Sequence, residues 1–264
     1  MPLIAQLTDL HIREGGALAY GRVDTLAFLN AAVDHLNAFV PRLAGVVVSG
    51  DVVDVGTPGE YRVARSVLDR LGMPWWPVPG NHDGSAFYEA FADRTENPAY
   101  GIGHVVRLGD LRFVMLDTRV EGAPHGHFGD DRAAWLADAL AEPTALLVMH
   151  HPPFPTGIAH MDRLGLQGCE RFAQVVAAAP PRAILCGHIH RTIITSLAGV
   201  PVVVAPSPAH AVSLDLRKDG PSTFHMEPPG VMVHKIDAER IVSHVSFIGD
   251  YAGPHPFFGD DAGS

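Results

Sequence analysis

Short apolar runs rich in valine, isoleucine and leucine recur along the chain and constrain its fold more than any other feature. The clearest run, residues 43–49, is apolar at almost every position, which is typical of a central strand buried on both faces. Residues 22–39 carry apolar residues at helical spacing and predict a helix that covers a sheet. This strand–loop–helix order recurs and predicts an α/β fold. Further strands are expected at residues 3–7, 75–78, 145–149 and 182–186, and further helices at residues 58–71, 85–91, 131–141 and 169–179.

Other apolar runs are joined by short turns, which predict antiparallel pairs. Residues 105–108 and 111–116 flank Gly109 and Asp110, a dipeptide suited to a hairpin turn. Two more pairs are expected, at residues 192–197 with 200–204 and at residues 231–236 with 241–248.

Side chains able to bind metals follow the strands at one end only. Asp51 comes after the strand at 43–49, where Gly50 permits a tight turn. Asn81 follows the strand at 75–78, and the neighbouring imidazole of His82 could donate a proton. Open α/β sheets bind ligands at the carboxyl ends of their strands, so this placement indicates a shared site. The predicted metal ligands are Asp9, His11, Asp51, Asn81, His150, His188 and His190.

Two of the motifs place their ligands two residues apart. In extended chain, Asp9 and His11 would point to the same side, and so would His188 and His190. A plain polar strand end is the alternative for the first pair. The segment around Asn81 could likewise be only a turn stabilised by its own side chains.

The number of predicted ligands favours two ions over one. Seven side chains exceed the needs of a single transition metal ion, and a shared carboxylate would divide them between two. Asp51 is the central carboxylate in a glycine turn, so the bridge is assigned to it. Mixed nitrogen and oxygen ligands suit Fe, Mn, Zn or Co.

Composition excludes several other classes of protein. The net charge of −10 gives no basic surface for duplex nucleic acid or for an anionic membrane. No apolar stretch approaches the roughly 18 residues of a membrane span, and the start of the chain lacks the basic segment of a signal peptide. The two cysteines, Cys169 and Cys186, cannot form a disulfide framework. A cytoplasmic protein is expected.

Together, five motifs resemble the signature blocks of the calcineurin-like metallophosphoesterases: Asp9-x-His11, Gly50-Asp51-x-x-Asp54, Gly80-Asn81-His82-Asp83, His150 and Gly187-His188-x-His190. They occur in the family's order between residues 9 and 190. The resemblance implies a four-layer αββα sandwich of two mixed sheets flanked by helices, with His82 as the acid or stabiliser beside the scissile phosphate. It departs at Asp54, where family members often have asparagine. It implies Asp9, His11, Asp51 and His190 on one ion and Asp51, Asn81, His150 and His188 on the other.

Within the family, the compact length and the strand-rich tail resemble bacterial class III cyclic nucleotide phosphodiesterases and glycerophosphodiesterases. Residues 1–210 are expected to form the catalytic core. Residues 211–264 are expected to complete the sandwich and end in a tail or oligomerisation arm, through which a homodimer or larger homo-oligomer would form.

The expected reaction is hydrolysis of a small phosphodiester, such as cyclic AMP or a glycerophosphodiester, with a metal-bound hydroxide attacking phosphorus in line. A phosphomonoesterase or nucleotide pyrophosphatase with the same metals is the alternative, and a non-catalytic scaffold of the same fold is a third. Side chains expected to support the ligands or to contact the substrate are Asp54, His151, His160, Asp162 and Arg191.

Overall fold

The computed structural model describes residues 1–95, 101–142 and 145–257. The strands are β1 (Leu3–Leu7), β2 (Gly45–Ser49), β3 (Trp75–Val78), β4 (Gly103–Leu108), β5 (Leu111–Leu116), β6 (Gly126–His127), β7 (Ala145–Met149), β8 (Leu166–Gln167), β9 (Ala183–Cys186), β10 (Ile193–Leu197), β11 (Val200–Val204), β12 (Ala211–Val212), β13 (Phe224–His225), β14 (Gly230–Ile236) and β15 (Ile241–Phe247). The helices are α1 (Thr25–Asn37), α2 (Pro58–Leu68), α3 (Phe87–Ala90), α4 (Asp130–Leu140), α5 (Ala159–Asp162) and α6 (Cys169–Ala178).

Most strands belong to two mixed sheets. The first has the order β15-β14-β1-β2-β3, in which β1, β2 and β3 are parallel and the hairpin β14–β15 is antiparallel to β1. The second has the order β10-β11-β9-β7-β5-β4, with four parallel strands between two antiparallel edge strands. Parallel strands thus occupy the centre of each sheet, as their near-continuous apolar sequences require.

The two sheets pack face to face, with helices on the outside. Alternate side chains of a strand point to opposite faces, so Val46 and Val48 of β2 pack toward α1, α2 and α3, whereas Val47 packs between the sheets. Phe113 and Leu185 of the second sheet join Val47 in that central layer. Helices α4 and α6 cover the outer face of the second sheet. The expected four-layer αββα sandwich is confirmed.

Element boundaries follow local capping. Helix α1 begins later than expected because Asp24 is its N-cap and accepts a hydrogen bond from the Ala27 backbone at 3.0 Å. Thr57 and Glu60 form a capping box at the start of α2. The expected strands are present to within about two residues. The short elements β6, β8, α5, β12 and β13 were not predicted.

The C-terminal segment is part of the first sheet. Strand β14 pairs with β1 along Leu3–Gln6, and Val231, Val233 and Ile248 are buried among the apolar residues under α1 and α2. The last residues of the expected tail, 258–264, lie outside the described residues. Within the described ranges, no helix has both the length and the hydropathy that a bilayer span demands.

Candidate metal centre

The carboxyl ends of strands from both sheets meet at one place. Buried Gln6 on β1 donates hydrogen bonds to Ser49 Oγ at 2.8 Å and to the carbonyl of Cys186 at 2.9 Å, which joins β1 to β2 and to β9 of the other sheet. The Gly187 amide donates to the carbonyl of His150 at 3.0 Å. These contacts bring the loops after four strands against one another.

The first cluster of candidate ligands consists of Asp9, His11 and His190, all buried. The Nε2 atom of His190 lies 3.2 Å from Nε2 of His11 and 3.3 Å from Oδ1 of Asp9. Three ligand atoms from two loops therefore face one point.

The second cluster surrounds His150. Its Nε2 atom lies 3.1 Å from Oδ1 of Asn81 and 3.3 Å from Oδ2 of Asp51. The ring of His188 lies 5.0 Å from the ring of His150, centroid to centroid. Oδ2 of Asp51 is also 3.6 Å from Nε2 of His11, so this one carboxylate oxygen lies between the two clusters.

The donor set fits divalent transition ions. Imidazole nitrogens with carboxylate and amide oxygens are the ligands that such ions accept. Nε2 of His188 is buried and has no hydrogen-bond partner among the described residues, which leaves it available as a ligand. In two other candidate ligands, His150 and His11, the second ring nitrogen is held by a polar partner. Nδ1 of His150 lies 2.9 Å from the Ser49 carbonyl, and Nδ1 of His11 lies 3.2 Å from Oδ1 of Asp54. This is the usual arrangement behind metal-binding histidines.

The backbone of the clusters is strained. A positive φ is uncommon for residues other than glycine and costs roughly 1–3 kcal/mol when the surroundings impose it. Five of the seven described non-glycine residues with positive φ are candidate ligands. They are Asp9 (54°), His11 (45°), Asp51 (50°), His188 (73°) and His190 (56°).

Two glycines allow the loops to approach. A Cβ atom at Gly80 would lie 2.2 Å from Oδ1 of Asp51, and one at Gly187 would lie 2.0 Å from Oγ1 of Thr8. Any side chain at either position would displace the candidate ligands next to it.

Burial and neighbouring charges shift the pKa values of the candidate ligands in different directions. Burial opposes ionisation of Asp51, but the charges of His150 and His82 outweigh it and hold the pKa of Asp51 well below its usual range. Burial also disfavours charge on His150, yet the Asp51 carboxylate raises its pKa to about 9. Burial, helped by the charge of His150, lowers the pKa of His188 to about 3. An ionised Asp51 and a neutral His188 are the forms that bind metals.

His82 lies beside the clusters and is partly exposed. Its Nδ1 atom donates to the Asp54 carbonyl at 2.8 Å, and its backbone amide donates to Oδ1 of Asp51 at 2.8 Å. Its ring lies 4.6 Å from that of His11. His82 and ligands of both clusters line an open cavity of about 400 Å³.

The structure divides the remaining predicted residues into three groups. Asp54 supports His11, and His151 lies in the second cluster with Nδ1 2.8 Å from Oγ1 of Thr118. His160 lines the cavity. Asp162 and Arg191 do not line it: Asp162 accepts hydrogen bonds from its own loop, and Arg191 donates to the Val212 carbonyl at 2.7 Å.

Sequence reasoning missed three aromatic residues in the cavity wall, Tyr20, His210 and Phe224. His210 does follow a strand, β11, but six residues beyond its end, so it carried no strand-end signal. Tyr20 precedes Gly21 in a glycine-rich loop, a composition that indicates only a turn.

Known proteins resemble this chain in sequence over most of its length. The sequence model of the calcineurin-like phosphoesterases matches residues 2–192. A probable glycerophosphodiester phosphodiesterase, GpdQ, of Arcobacter nitrofigilis is 35% identical over 98% of this chain and 97% of its own. A probable cyclic nucleotide phosphodiesterase of Rhodopseudomonas palustris is 35% identical over 94% of this chain and 93% of its own.

The same fold occurs in a purple acid phosphatase from yellow lupin. It aligns with a TM-score of 0.60 at 14% identity over 88% of this chain and 49% of the phosphatase. The family model matches the segment of this chain that carries both ligand clusters. The two bacterial relatives match nearly the whole length of the chain. The chain belongs to the calcineurin-like phosphoesterase family.

Proposed function

We propose that the protein hydrolyses small phosphodiesters with the help of two divalent metal ions. The observation that supports this best is the position of Asp51, whose Oδ2 atom lies within 3.6 Å of His11 Nε2 and within 3.3 Å of His150 Nε2. One ion would be held by Asp9, His11, Asp51 and His190, and the other by Asp51, Asn81, His150 and His188.

Divalent ions at these positions would generate a nucleophile from water at neutral pH and neutralise the phosphoryl oxygens. The chain supplies the remaining proton chemistry. Because Nδ1 of His82 is fixed by the Asp54 carbonyl at 2.8 Å, its other ring nitrogen is the one left to act in the cavity. We assign to the imidazolium form of His82, which carries a proton on both ring nitrogens, the transfer of a proton from that other ring nitrogen to the departing alkoxide. General acid catalysis of this kind is worth about 10²–10⁴-fold in rate.

The charge of the cavity favours a diester over a monoester. No lysine or arginine is found among the described residues that line the cavity. A monoester carries up to two negative charges and is usually bound by arginine or lysine, whereas a diester carries only one. Two metal ions without further cations suit the diester.

The substrate is proposed from the relatives. Those compared above are named for glycerophosphodiesters and for cyclic nucleotides, and both classes are small phosphodiesters. A homodimer or larger homo-oligomer stays a prediction, which size-exclusion chromatography with light scattering would test.

The test is a comparison of bis(4-nitrophenyl) phosphate with 4-nitrophenyl phosphate on metal-reconstituted protein. We expect kcat/KM to be larger for the diester, and we expect His82→Ala to reduce kcat for the diester by about 10²-fold or more. His244→Ala, at an exposed position on β15, is the matched control and should retain wild-type turnover. Preference for the monoester would favour a phosphomonoesterase, and no turnover of either would favour a scaffold.

A further inference from the structure

The three aromatic residues that sequence reasoning missed form one surface, here called the aromatic wall. The ring centroids of Tyr20, His210 and Phe224 lie 5.2–5.4 Å from one another. The wall begins at the candidate ligands, since His210 lies 4.5 Å from the ring of His190 and Tyr20 lies 6.1 Å from the ring of His11. It therefore continues from the first ligand cluster along the side of the cavity.

Three places in the chain contribute to the wall: the loop before α1, the segment after β11 and strand β13. Phe224 lies on β13, which pairs with β12, and it packs with Phe28 on a small buried cluster of Ala19, Val23 and Ala209. That cluster joins the loop carrying Tyr20 to the segment carrying His210.

Arg191 ties the paired strands β12 and β13 to the candidate ligands. It follows His190 directly, donates to the Val212 carbonyl of β12 at 2.7 Å and forms an ion pair with Glu227, two residues after β13. The wall is thereby held in a fixed position relative to the first ligand cluster.

Tyr20 and His210 each have a feature that costs the folded state free energy. Tyr20 has a φ of 51°, an unusual value for a bulky residue, and yet 49% of its surface remains exposed. His210 is 3% exposed, and its Nδ1 atom has no hydrogen-bond partner among the described residues. Strain combined with exposure, next to an unpaired buried nitrogen, indicates a surface shaped for a ligand.

The cavity lining also includes the apolar side chains of Met161, Leu164 and Pro124. A volume of about 400 Å³ lies within the range of roughly 300–1,000 Å³ seen for small-molecule sites. A cavity whose lining combines imidazoles and the Asp51 carboxylate with aromatic and aliphatic side chains suits a ligand that carries both a phosphate and a planar ring.

Resting on the function proposed above, we propose that the aromatic wall binds a planar ring carried by one alcohol of the diester. The substrate class is then a nucleoside-bearing diester, such as a 3′,5′-cyclic nucleotide, in preference to a glycerophosphodiester. Tyr20 and Phe224 contact the base by stacking. The ring of His210 packs against both of them and supports the wall from behind.

The test measures kcat/KM for cyclic AMP and for glycerophosphoethanolamine, which has no ring. Tyr20→Leu and Phe224→Leu keep an apolar side chain but remove the aromatic ring. We expect each variant to lower kcat/KM for cyclic AMP at least about fivefold, mainly through KM, because base–aromatic stacking is worth about 1 kcal/mol or more. Turnover of glycerophosphoethanolamine should change less than about twofold. Tyr251→Leu, at an exposed position outside the cavity, should match wild type with both substrates.

An equal loss of kcat/KM with both substrates would mean that the wall is only structural, and no loss with either substrate would overturn the proposal.

Binding is measured separately on metal-free protein, by saturation-transfer NMR with adenosine. We expect transfer to the adenine protons in wild type and a clear decrease in Phe224→Leu. If no diester is hydrolysed, the proposed function is wrong, but the NMR measurement still decides whether the aromatic wall binds a planar ring. Absence of saturation transfer to adenosine in wild type would overturn the proposed ring site.

Discussion

At the scale of single residues, the candidate ligands depend on contacts made on the side away from the cavity. Asp54 is the clearest case. Its Oδ1 atom lies 3.2 Å from Nδ1 of His11, its Oδ2 atom accepts from Arg13 at 2.7 Å, and its carbonyl accepts from His82. Arg13 in turn lies 3.4 Å from buried Glu60, whose carboxylate caps α2. One residue thus orients both a candidate ligand and the proposed acid.

Asp54→Ala should weaken metal binding. Without the carboxylate, Nδ1 of His11 loses its partner, and loss of such a partner typically costs 10–100-fold in metal affinity or activity. Asp54→Asn should lose less, because an amide oxygen still accepts from His11. The measurement is competitive titration of metal-free protein with Mn²⁺ or Zn²⁺ against a chelating dye. Asp219→Ala, which removes an exposed carboxylate, is the control. Wild-type affinity in Asp54→Ala would show that Asp54 does not support the ligands.

At the scale of elements, the sequence predicts the position of a site residue best where that residue directly follows a single buried strand. A run such as Val46–Val48 predicts a buried strand, and its end fixes where Asp51 lies. Strands β12 and β13 have two residues each, which is too short for any periodicity to show. The aromatic wall therefore could not be predicted, because it depends on contacts between segments almost 200 residues apart. The strained φ of Tyr20 has no sequence signal at all.

A buried histidine on β4 gives a prediction about pH. His104 is 2% exposed, pairs across the sheet with Met115, and has no partner for either ring nitrogen among the described residues. Burial lowers its pKa from 6.5 to about 4. Between these values the unfolded chain binds a proton that the folded chain does not, so the folded state loses stability as the pH falls.

His104→Leu should remove this pH dependence. At pH 5 the wild-type penalty from His104 is about 2 kcal/mol relative to pH 7, because one pKa unit corresponds to about 1.36 kcal/mol. The measurement is the free energy of unfolding in urea at both pH values. The wild type should lose about 2 kcal/mol more than His104→Leu between pH 7 and pH 5. Equal losses would mean that His104 accepts a proton in the folded state.

At the scale of the whole molecule, the first strand and the C-terminal hairpin meet in the first sheet. Strand β14 lies next to β1, whose carboxyl end leads directly into Asp9 and His11. Buried Met232 and Ile236 of β14 also contribute to the layer between the two sheets. The segment after residue 210 therefore contributes to the core as well as to the edge of the sheet.

A chain ending at residue 210 should not fold. It would leave β1 without its antiparallel partner and would expose apolar residues of two core layers. Circular dichroism and urea unfolding would be expected to show no cooperative transition. A chain ending at residue 249 keeps both C-terminal strands and should unfold as the full chain does, because the described residues beyond it are exposed. A cooperative transition in the 210-residue chain would show that the core is independent of β14.

Asp51 is proposed to let two clusters from different strands hold two metal ions. The most direct measurement is the number of metal ions bound per chain, by mass spectrometry of metal-reconstituted protein after gel filtration, for wild type and Asp51→Ala. We expect two ions in wild type and at most one, with loss of diester hydrolysis, in Asp51→Ala. A single ion in wild type, or two ions retained by Asp51→Ala, would contradict this proposal.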